Sequence, residues 1–338
     1  MRAIENAVHG RHAPTLEVEE GAITPPFEVP GRYDAIRQAL AAHGGFAFET
    51  APPATERDVI ALHDPAYVAY LREASRDAST QPAAFVMPSV FPYGPVPSVR
   101  SAKARHGMYC FDTYTPIVSG TFDAALAGAG AALRGAELLA SGGERGVYVL
   151  TRPPGHHAER ARCGGYSYLN NAALAANRLA AHGPVAVLDL DVHHGNGTQH
   201  LFYDRADVFV ASIHGDPAHL YPYFSGFAEE TGTGAGLGRN LNVPLPLGSG
   251  EREYLAALAT ACESLARVRP AFLVVSLGAD AHESDPIGGM KLPTESFALF
   301  GRRVKEMNLP TLVVQEGGYS LTAIGPCTVG FLDAMVSA

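Results

Sequence analysis

Short apolar runs rich in β-branched residues alternate with Ala- and Leu-rich stretches in the second half of the chain. The runs cover residues 147–150, 185–190, 208–213, 272–277 and 311–314, and helix-like stretches cover 171–181 and 254–268. Buried parallel strands form continuous apolar runs, and a parallel pair needs a crossover between its strands. The alternation therefore predicts an α/β fold, an open parallel sheet with helices on both faces.

The chain length fits one large domain or two smaller ones. Open α/β folds of 338 residues often form one unit, so we expect a single domain over residues 1–338. The Ala/Gly-rich stretch 122–143 has Leu at helical spacing and predicts a tightly packed helix. Residues 82–97 hold five prolines and predict a long loop excursion. The alternating glycines of 231–238 follow no apolar strand, which argues against a dinucleotide site.

Charge and cysteine content narrow the class of partner. The net charge is −9, so we expect no nucleic-acid partner and easier binding of cationic ligands. The four cysteines are far apart without CxxC spacing, which predicts free thiols. The first residues have no apolar signal core and no run reaches about 18 apolar residues, so we expect a cytoplasmic protein without membrane contact.

Acidic and histidine residues cluster where two of the predicted strands end. In the segment VAVLDLDVHHGNGTQ, alternation in an extended backbone places Asp189, Asp191 and His193 on one face, with His194 pointing elsewhere. Asp280, in GAD after the 272–277 strand, should reach the same sheet edge. Two carboxylates and one imidazole suit Zn²⁺ with open positions for catalysis, and Fe²⁺ or Mn²⁺ also fit. The alternative is that the aspartates cap a turn and the histidines are satisfied surface groups.

Two further segments supply groups for proton transfer and charge stabilisation. RPPGHHAE follows the 147–150 strand and presents His156 and His157, which suit acid–base chemistry near neutrality. VVQEGGY follows a strand with two glycines that let the chain turn Tyr319 over the cleft as an oxyanion donor. Taken singly, a histidine pair is more often a surface feature and such a tyrosine a packed aromatic.

Together these motifs resemble the arginase-like histone deacetylase superfamily. RPPGHHA, GGYSYLNNAA, LDLDVHHGNGTQ, SLGADAHESDP and EGGY occur in the family's order from about residue 17 onward. PPFEVP, HGDPAHLYP and FAEETGTGAG are most similar to the acetylpolyamine amidohydrolase branch. The resemblance implies the arginase–deacetylase fold and zinc-dependent hydrolysis of acetylated amines, with acetylpolyamines as the leading substrate and acetyl-lysine peptides or other small acetylated amines behind them.

The resemblance also implies a role for each matched residue. It makes Asp191, His193 and Asp280 the metal ligands. It makes His157 the general base, oriented by Asn196, and His156 an electrostatic support hydrogen-bonded to Asp189. It makes Tyr319 the oxyanion donor.

Substrate and potassium sites are implied in the same way. Gly165, Tyr166 and Tyr221 would line a narrow tunnel, and Glu17 at its mouth would recognise a distant ammonium. Structural potassium would bind at two sites, formed by Asp189, Asp191, His193, Ser212 and Ile213, and by Phe202 and Val208. The proline-rich excursion would narrow the entrance or form a homodimer interface.

Two other functions remain open at this stage. Ureohydrolases share the fold but need two metal ions, and Asn196 and His282 stand where further acidic ligands would be wanted. A non-catalytic binder of acetylated ligands would be expected to have lost a ligand or the phenol, whereas all matched positions are intact here.

Overall fold

The computed structural model describes residues 1–19, 21–81, 84–92 and 101–337. The strands are β1 Arg2–Glu5, β2 Glu17–Glu19, β3 Ala22–Thr24, β4 Ala47–Thr50, β5 Phe85–Val86, β6 Ile117–Val118, β7 Gly146–Leu150, β8 Val185–Asp189, β9 Val208–Gly215, β10 Asn240–Leu245, β11 Phe272–Leu277 and β12 Thr311–Gln315. The helices are α1 Gly31–His43, α2 Glu56–Val59, α3 Pro65–Asp77, α4 Ala102–Tyr109, α5 Thr121–Ala140, α6 Asn171–Ala180, α7 Asn196–Phe202, α8 Glu251–Arg267, α9 Thr294–Glu306 and α10 Ile324–Val336.

Eight strands form one sheet in the order β10-β9-β8-β11-β12-β7-β1-β4, and every pair in it is parallel. The five predicted strands are all present, as β7, β8, β9, β11 and β12. They occupy adjacent positions in this sheet, which confirms the predicted open parallel α/β fold.

Side chains that alternate along the strands build two cores, one on each face of the sheet. Val185 and Val187 of β8 pack with α5 and α6 on one face. Ala186 and Leu188 pack with α1, α8, α9 and α10 on the other. Helices therefore cover both faces, as predicted, and burial of both faces explains why these strands have continuous apolar runs. Helix α5 is largely buried, as expected for its small residues.

Three strands of the sheet had no strong sequence signal. β1, β4 and β10 are the outer strands, and their residues are more polar and partly exposed. Pro244 is tolerated in β10 because an edge strand has one row of hydrogen bonds unpaired. The 231–238 segment forms a loop with a single 3-10 turn, Gly234–Gly236, as expected for a segment that is not a dinucleotide motif.

The proline-rich excursion is described only in part. Residues 84–92 include β5, which pairs antiparallel with β6, and they expose Val90 and Phe91. Residues 82, 83 and 93–97 of the predicted loop lie outside the described residues. All four cysteines are free and buried, as predicted. Over the described part of the chain, no helix is both long and apolar enough to cross a membrane.

Candidate active site

The candidate site lies at the carboxyl ends of four adjacent strands in the middle of the sheet. Asp191 and His193 follow β8, Asp280 follows β11, Tyr319 follows β12, and the His156–His157 pair follows β7. Loops at this edge of a parallel sheet converge, so residues more than one hundred positions apart in sequence are brought together.

Asp191, His193 and Asp280 form a buried cluster of possible metal ligands. One ligand atom from each lies within 4.8 Å of the others. Nδ1 of His193 is 3.3 Å from Oδ1 of Asp191 and 3.3 Å from Oδ2 of Asp280. Backbone N–H groups of His193, Val192 and Gly317 donate to the two carboxylates and hold them in place.

Several features of this cluster fit a divalent cation. Oδ2 of Asp280 is buried and has no hydrogen-bond partner among the residues that the structure describes. Burial and the neighbouring Asp191 carboxylate raise the pKa of Asp280 to about 7, so the two carboxylates are poorly compatible without a cation between them. A side chain at Gly317 would collide with Oδ2 of both aspartates, and only glycine leaves that space open. The donors are two carboxylates and one imidazole, which suits Zn²⁺.

The two adjacent histidines have different environments. Nδ1 of His156 lies 3.0 Å from Oδ2 of Asp189. Burial alone would lower the pKa of His156, but the carboxylates of Asp191 and Asp189 outweigh it and raise the pKa to about 10. His157 shows the opposite shift, because burial and the neighbouring His156 and His193 hold its pKa well below the usual value. Of the two, His157 is therefore the ring suited to accept a proton.

Asn196 contacts His157 from the side away from the cavity. Its Oδ1 lies 2.8 Å from Nδ1 of His157, so the other ring nitrogen, Nε2, is left for the cavity that His157 lines. Asn196 is the first residue of α7 and is buried. This is the contact that the family resemblance implied.

Tyr319 is held by contacts to the loop that carries it. Its backbone N–H donates to Asp285 at 2.7 Å. The Arg32 guanidinium donates to the carbonyl oxygens of Glu316 and Gly318 at 2.6 Å each and lies 4.6 Å from the Tyr319 ring centre. Burial raises the pKa of Tyr319 well above its usual value, so the phenol stays protonated as a donor.

A cavity of about 210 Å³ opens beside these groups. Its aromatic wall consists of five tyrosines. They are Tyr114, Tyr166, Tyr221, Tyr223 and Tyr319. Tyr221 stands edge-on to the His157 ring at 5.0 Å, and its hydroxyl donates to Asp112 at 2.7 Å. Gly165 also lines the cavity, and a side chain there would collide with the His157 ring. The wall residues Gly165, Tyr166 and Tyr221 are thus brought together as expected.

Glu17 does not lie where the sequence predicted. It is buried, its carboxylate accepts a hydrogen bond from the Tyr166 hydroxyl at 3.1 Å, and it is not among the residues that line the cavity. Burial raises the pKa of Glu17 to about 7. Glu19, two residues further along β2, lines the cavity instead. Tyr166 lines the cavity, and its hydroxyl binds Glu17, so the buried Glu17 carboxylate contacts the wall rather than the open cavity.

The sequence predicted that Asp189 lies on the same face as Asp191 and His193, and the structure contradicts this. Strand β8 ends at Asp189, so the chain is no longer extended at Asp191 and His193. Asp189 instead faces His156 and accepts the Asp191 N–H at 3.1 Å. The chain turns where the Asp191 N–H donates to Asp189, and this turn separates the Asp189 side chain from the candidate metal ligands. His194 contacts Gln199 at 3.1 Å, away from the ligands, as expected.

The residues expected to bind potassium at the first site lie near the carboxyl end of β8, whereas Val208 of the second site pairs with Val185 at the start of β8. Asp189 pairs with Ser212 in the register of β8 and β9, and Ile213 follows Ser212. Phe202 ends α7 and Val208 begins β9, so these two residues flank the short connection between those elements.

Some site residues had no sequence signal. Leu220, Pro286 and Ile287 line the cavity together with Tyr114, Tyr223 and Glu19. They come from loops distant in sequence. Leu220 and Pro286 lie within HGDPAHLYP and SLGADAHESDP, but as apolar residues they carried no indication of a role in the site. The nearest signal was the aromatic LYPYF segment, which pointed to Tyr221 and could have indicated Tyr223.

Comparison with known proteins agrees with this geometry. A family model described as the histone deacetylase domain matches residues 26–335. The chain belongs to the histone deacetylase family. The match spans all four central strands and every motif residue from His156 to Tyr319, so the predicted resemblance is confirmed.

Relatives within the histone deacetylase family match over nearly the whole chain. The chain is 39% identical to acetylpolyamine amidohydrolase 1 of Pseudomonas aeruginosa, covering 100% of this chain and 99% of that protein. It is 39% identical to the acetylpolyamine amidohydrolase of Mycoplana ramosa, covering 96% of each. A crystal structure of acetylpolyamine aminohydrolase from Burkholderia pseudomallei superimposes with a TM-score of 0.95 at 35% identity, covering 100% of this chain and 99% of that one.

The site of this histone deacetylase family member contains one ligand cluster. Among the described residues, Asp191, His193 and Asp280 are the only such group. His282, which the sequence placed near a second metal, has its ring nitrogens 2.9 Å from Ser284 and 3.1 Å from Thr294. The geometry therefore favours a mononuclear centre over the two-metal arrangement of a ureohydrolase.

Proposed function

We propose that this protein is a zinc-dependent amidohydrolase that removes acetyl groups from acetylated polyamines. The observation that carries the proposal is the buried Asp191–His193–Asp280 cluster beside a tyrosine-lined cavity. The names of the relatives in Pseudomonas and Mycoplana support the acetylpolyamine substrate. Zn²⁺ is preferred for the donor set, although Fe²⁺ would use the same three ligands.

Each residue of the site has a separate role in the proposed hydrolysis. Asp191, His193 and Asp280 would hold the zinc ion, which when bound activates both the attacking water and the acetyl carbonyl. His157 takes up a proton from the water on Nε2 and returns it to the leaving amine, while Asn196 keeps the ring oriented. Tyr319 donates to the developing oxyanion. His156, whose pKa is raised by the carboxylates of Asp191 and Asp189, would offset part of their negative charge.

Acetate release is the direct test of this function. The purified protein is assayed with acetylspermidine and with an acetyl-lysine peptide, before and after a chelator, and after return of Zn²⁺, Fe²⁺ or Mn²⁺. The proposal expects turnover of acetylspermidine that the chelator removes and zinc restores. Release of urea from guanidino compounds with manganese, or no turnover of any acetylated amine, would overturn it.

A cationic substrate fits the charge of the cavity. Glu19 is the one Asp, Glu, Lys or Arg side chain among the described residues that line it, and the remaining wall is largely tyrosine. A carboxylate attracts an ammonium group, and tyrosine faces add cation–π attraction. Glu19 therefore replaces Glu17 as the proposed contact for the distant ammonium of a polyamine.

Replacement of Glu19 by glutamine should weaken binding of cationic substrates. We expect KM for acetylspermidine to rise about two- to fivefold at low ionic strength, because a partly exposed ion pair is worth up to about 1 kcal/mol. KM for a neutral acetylated alkylamine should not change. Glu229→Gln, the same charge change at an exposed position outside the cavity, is the matched control. Equal KM changes for both substrates would refute the contact.

Replacement of Asn196 by aspartate should change the pH dependence of the reaction. A carboxylate next to Nδ1 stabilises the imidazolium form of His157, which raises its pKa. Protonated His157 cannot act as a base, so the acidic limb of the kcat/KM profile should move to higher pH by about 1 unit. Asn308→Asp adds the same charge far from the site and should leave the profile in place. An unmoved acidic limb in Asn196→Asp would contradict the assignment.

We also propose that potassium binds as a structural ion at two sites, the first of them near the ligand loop. The first site would use Asp189, Asp191, His193, Ser212 and Ile213, and the second Phe202 and Val208. The β8–β9 register, which pairs Asp189 with Ser212, supports the first site. A melting temperature that rises with KCl but not with choline chloride is expected, and equal melting in both salts would reject this proposal.

A homodimer is proposed from exposed aromatic groups near the cavity. Phe224 is 54% exposed, Tyr223 beside it is 57% exposed and lines the cavity, and Phe111 packs edge-on against Phe224. Val90 and Phe91 of the proline-rich excursion are also about half exposed. Burial of such groups between two copies would stabilise a dimer and narrow the entrance. Light scattering should give twice the chain mass, whereas a monomer would contradict the proposal.

A further inference from the structure

A second layer of hydrogen bonds lies behind His157, on the side away from the cavity. Asn196 contacts His157 Nδ1 through Oδ1 at 2.8 Å and donates from Nδ2 to Glu159 Oε1 at 3.1 Å. The same Nδ2 lies 3.4 Å from the His157 carbonyl oxygen. Glu159 is 5% exposed, does not line the cavity and has no part in the mechanism above.

The acceptors around Asn196 fix which way its side-chain amide points. A carboxylate oxygen and a carbonyl oxygen can only accept hydrogen bonds, so the NH₂ group of Asn196 must face Glu159 and the His157 carbonyl. A rotation of this amide by 180° would place Oδ1 against both acceptors. Oδ1 therefore faces the His157 ring.

The direction of this amide in turn fixes the histidine tautomer. Oδ1 of Asn196 can only accept, so Nδ1 of His157 must carry the ring hydrogen. A neutral imidazole has one N–H, which leaves Nε2 with the lone pair that a general base needs. The orientation of Asn196 and the tautomer of His157 thus both follow from the position of the Glu159 carboxylate.

Glu159 is itself held firmly in place. The Arg162 guanidinium forms an ion pair with its second carboxylate oxygen at 3.0 Å, so both oxygens have a polar neighbour. The Glu159 backbone N–H bonds to the Arg162 carbonyl at 2.9 Å, and its own carbonyl lies 2.9 Å from Nδ1 of His63. Nε2 of His63 accepts the Asn170 N–H at 3.0 Å. These contacts make Glu159 a fixed reference point for Asn196.

We propose that Glu159 is a positioning residue that sets the tautomer of His157 through the Asn196 amide. The catalytic consequence rests on the proposed amidohydrolase function, whereas the tautomer does not. Glu159 fixes the ring that must accept the proton without touching the substrate or the reacting atoms.

A pair of substitutions separates this role from simple structural support. A glutamine at position 159 has one acceptor oxygen where the carboxylate has two, so Arg162 and Asn196 compete for it in Glu159→Gln. Arg162 has only donors and takes that oxygen, so the glutamine NH₂ faces Asn196 and favours the rotated amide. The rotated amide presents NH₂ to Nδ1 of His157 and favours the Nε2–H tautomer. Removing the competing donor in Glu159→Gln/Arg162→Met frees the glutamine oxygen for Asn196 and should restore the original arrangement.

The kinetic outcome is a rescue by the second substitution. Glu159→Gln should lower kcat about 10- to 100-fold with KM changed less than about twofold, since general-base catalysis is worth about 10²–10⁴. Arg162→Met, at a half-exposed side chain, should keep kcat within about twofold, and the double variant should recover to near the Arg162→Met value. A double variant that is as slow as Glu159→Gln, or slower, would overturn the proposal.

The tautomer is read directly by ¹⁵N–¹H correlation spectra of the histidine side chains in the purified, metal-containing protein. The His157 signals are assigned by their loss in His157→Ala. The wild-type spectrum should show His157 with its hydrogen on Nδ1, and Glu159→Gln should shift the hydrogen toward Nε2. A hydrogen on Nε2 in wild type would overturn the proposal. An unchanged tautomer in a folded Glu159→Gln protein would also overturn it. If Glu159→Gln does not fold, the wild-type spectrum still decides. Absence of deacetylation in wild type would overturn the proposed function but leave this spectrum interpretable.

Discussion

Asp280→Asn is expected to abolish turnover and the stoichiometric binding of a divalent metal ion while the protein stays folded. The asparagine oxygen can keep the hydrogen bond that Oδ1 accepts from the Val192 N–H at 2.9 Å. The amide nitrogen takes the place of Oδ2, which no described residue hydrogen-bonds, and an amide NH₂ cannot bind a cation. Loss of Lewis-acid activation, worth several kcal/mol, should lower kcat/KM by about 10³-fold or more.

Metal content and thermal melting test this prediction. Wild type should melt at a higher temperature when zinc is added, because a ligand that binds only the folded state stabilises it, and Asp280→Asn should not respond. Without metal, the variant should melt at the same temperature as wild type or higher, because the charge repulsion between Asp191 and Asp280 is gone. Asp204→Asn, at an exposed position, is the control. Wild-type zinc content in Asp280→Asn would contradict the assignment of this ligand.

Tyr319→Phe is the second large expected effect. Removal of one oxyanion donor typically costs about 10²–10³ in kcat, and the phenylalanine ring keeps the aromatic surface of the cavity wall. Arg32 holds the carbonyl oxygens of Glu316 and Gly318, so the loop should not move when the hydroxyl is lost. We expect kcat to fall with KM nearly unchanged, because the hydroxyl acts on the transition state more than on the bound substrate.

Steady-state kinetics and calorimetry measure this separation. Because Tyr319→Phe is slow, acetylspermidine binding to it can be titrated directly. The dissociation constant of acetylspermidine should lie within about twofold of the wild-type KM, provided that the chemical step limits wild-type turnover. Tyr223→Phe removes a hydroxyl from an exposed tyrosine of the same cavity and should have little effect on kcat. A Tyr319→Phe enzyme as fast as wild type would exclude the phenol as the oxyanion donor.

The central part of the fold could be predicted because burial leaves a local signal. β8 and β11 are buried on both faces, so their sequences are continuous apolar runs that no helix of ordinary amphipathicity would have. The outer strands β1, β4 and β10 contact fewer apolar neighbours and are correspondingly polar. Their pairing depends on the strands already in place, so their own residues give little indication of it.

The reactive residues could be predicted for a related reason. Each motif directly follows a buried strand, and the carboxyl ends of parallel strands meet at one edge of the sheet. The order of strands was not needed to expect Asp191 and Asp280 near each other. Strand alternation alone misplaced Asp189, because the chain turns after β8 and directs this carboxylate to His156, the contact that the family resemblance implied.

The sequence by itself determined the fold class and pointed to the three candidate ligands, the histidine pair and the tyrosine, because these depend on patterns within single segments. Only the tertiary structure decided that Tyr166 contacts a buried Glu17, that Glu19 lines the cavity and that Glu159 contacts the Asn196 amide. These contacts join loops far apart in the chain, and their geometry depends on packing distances of a few ångströms. No local pattern encodes such distances, since each arises from the sum of all the contacts that hold the loops together.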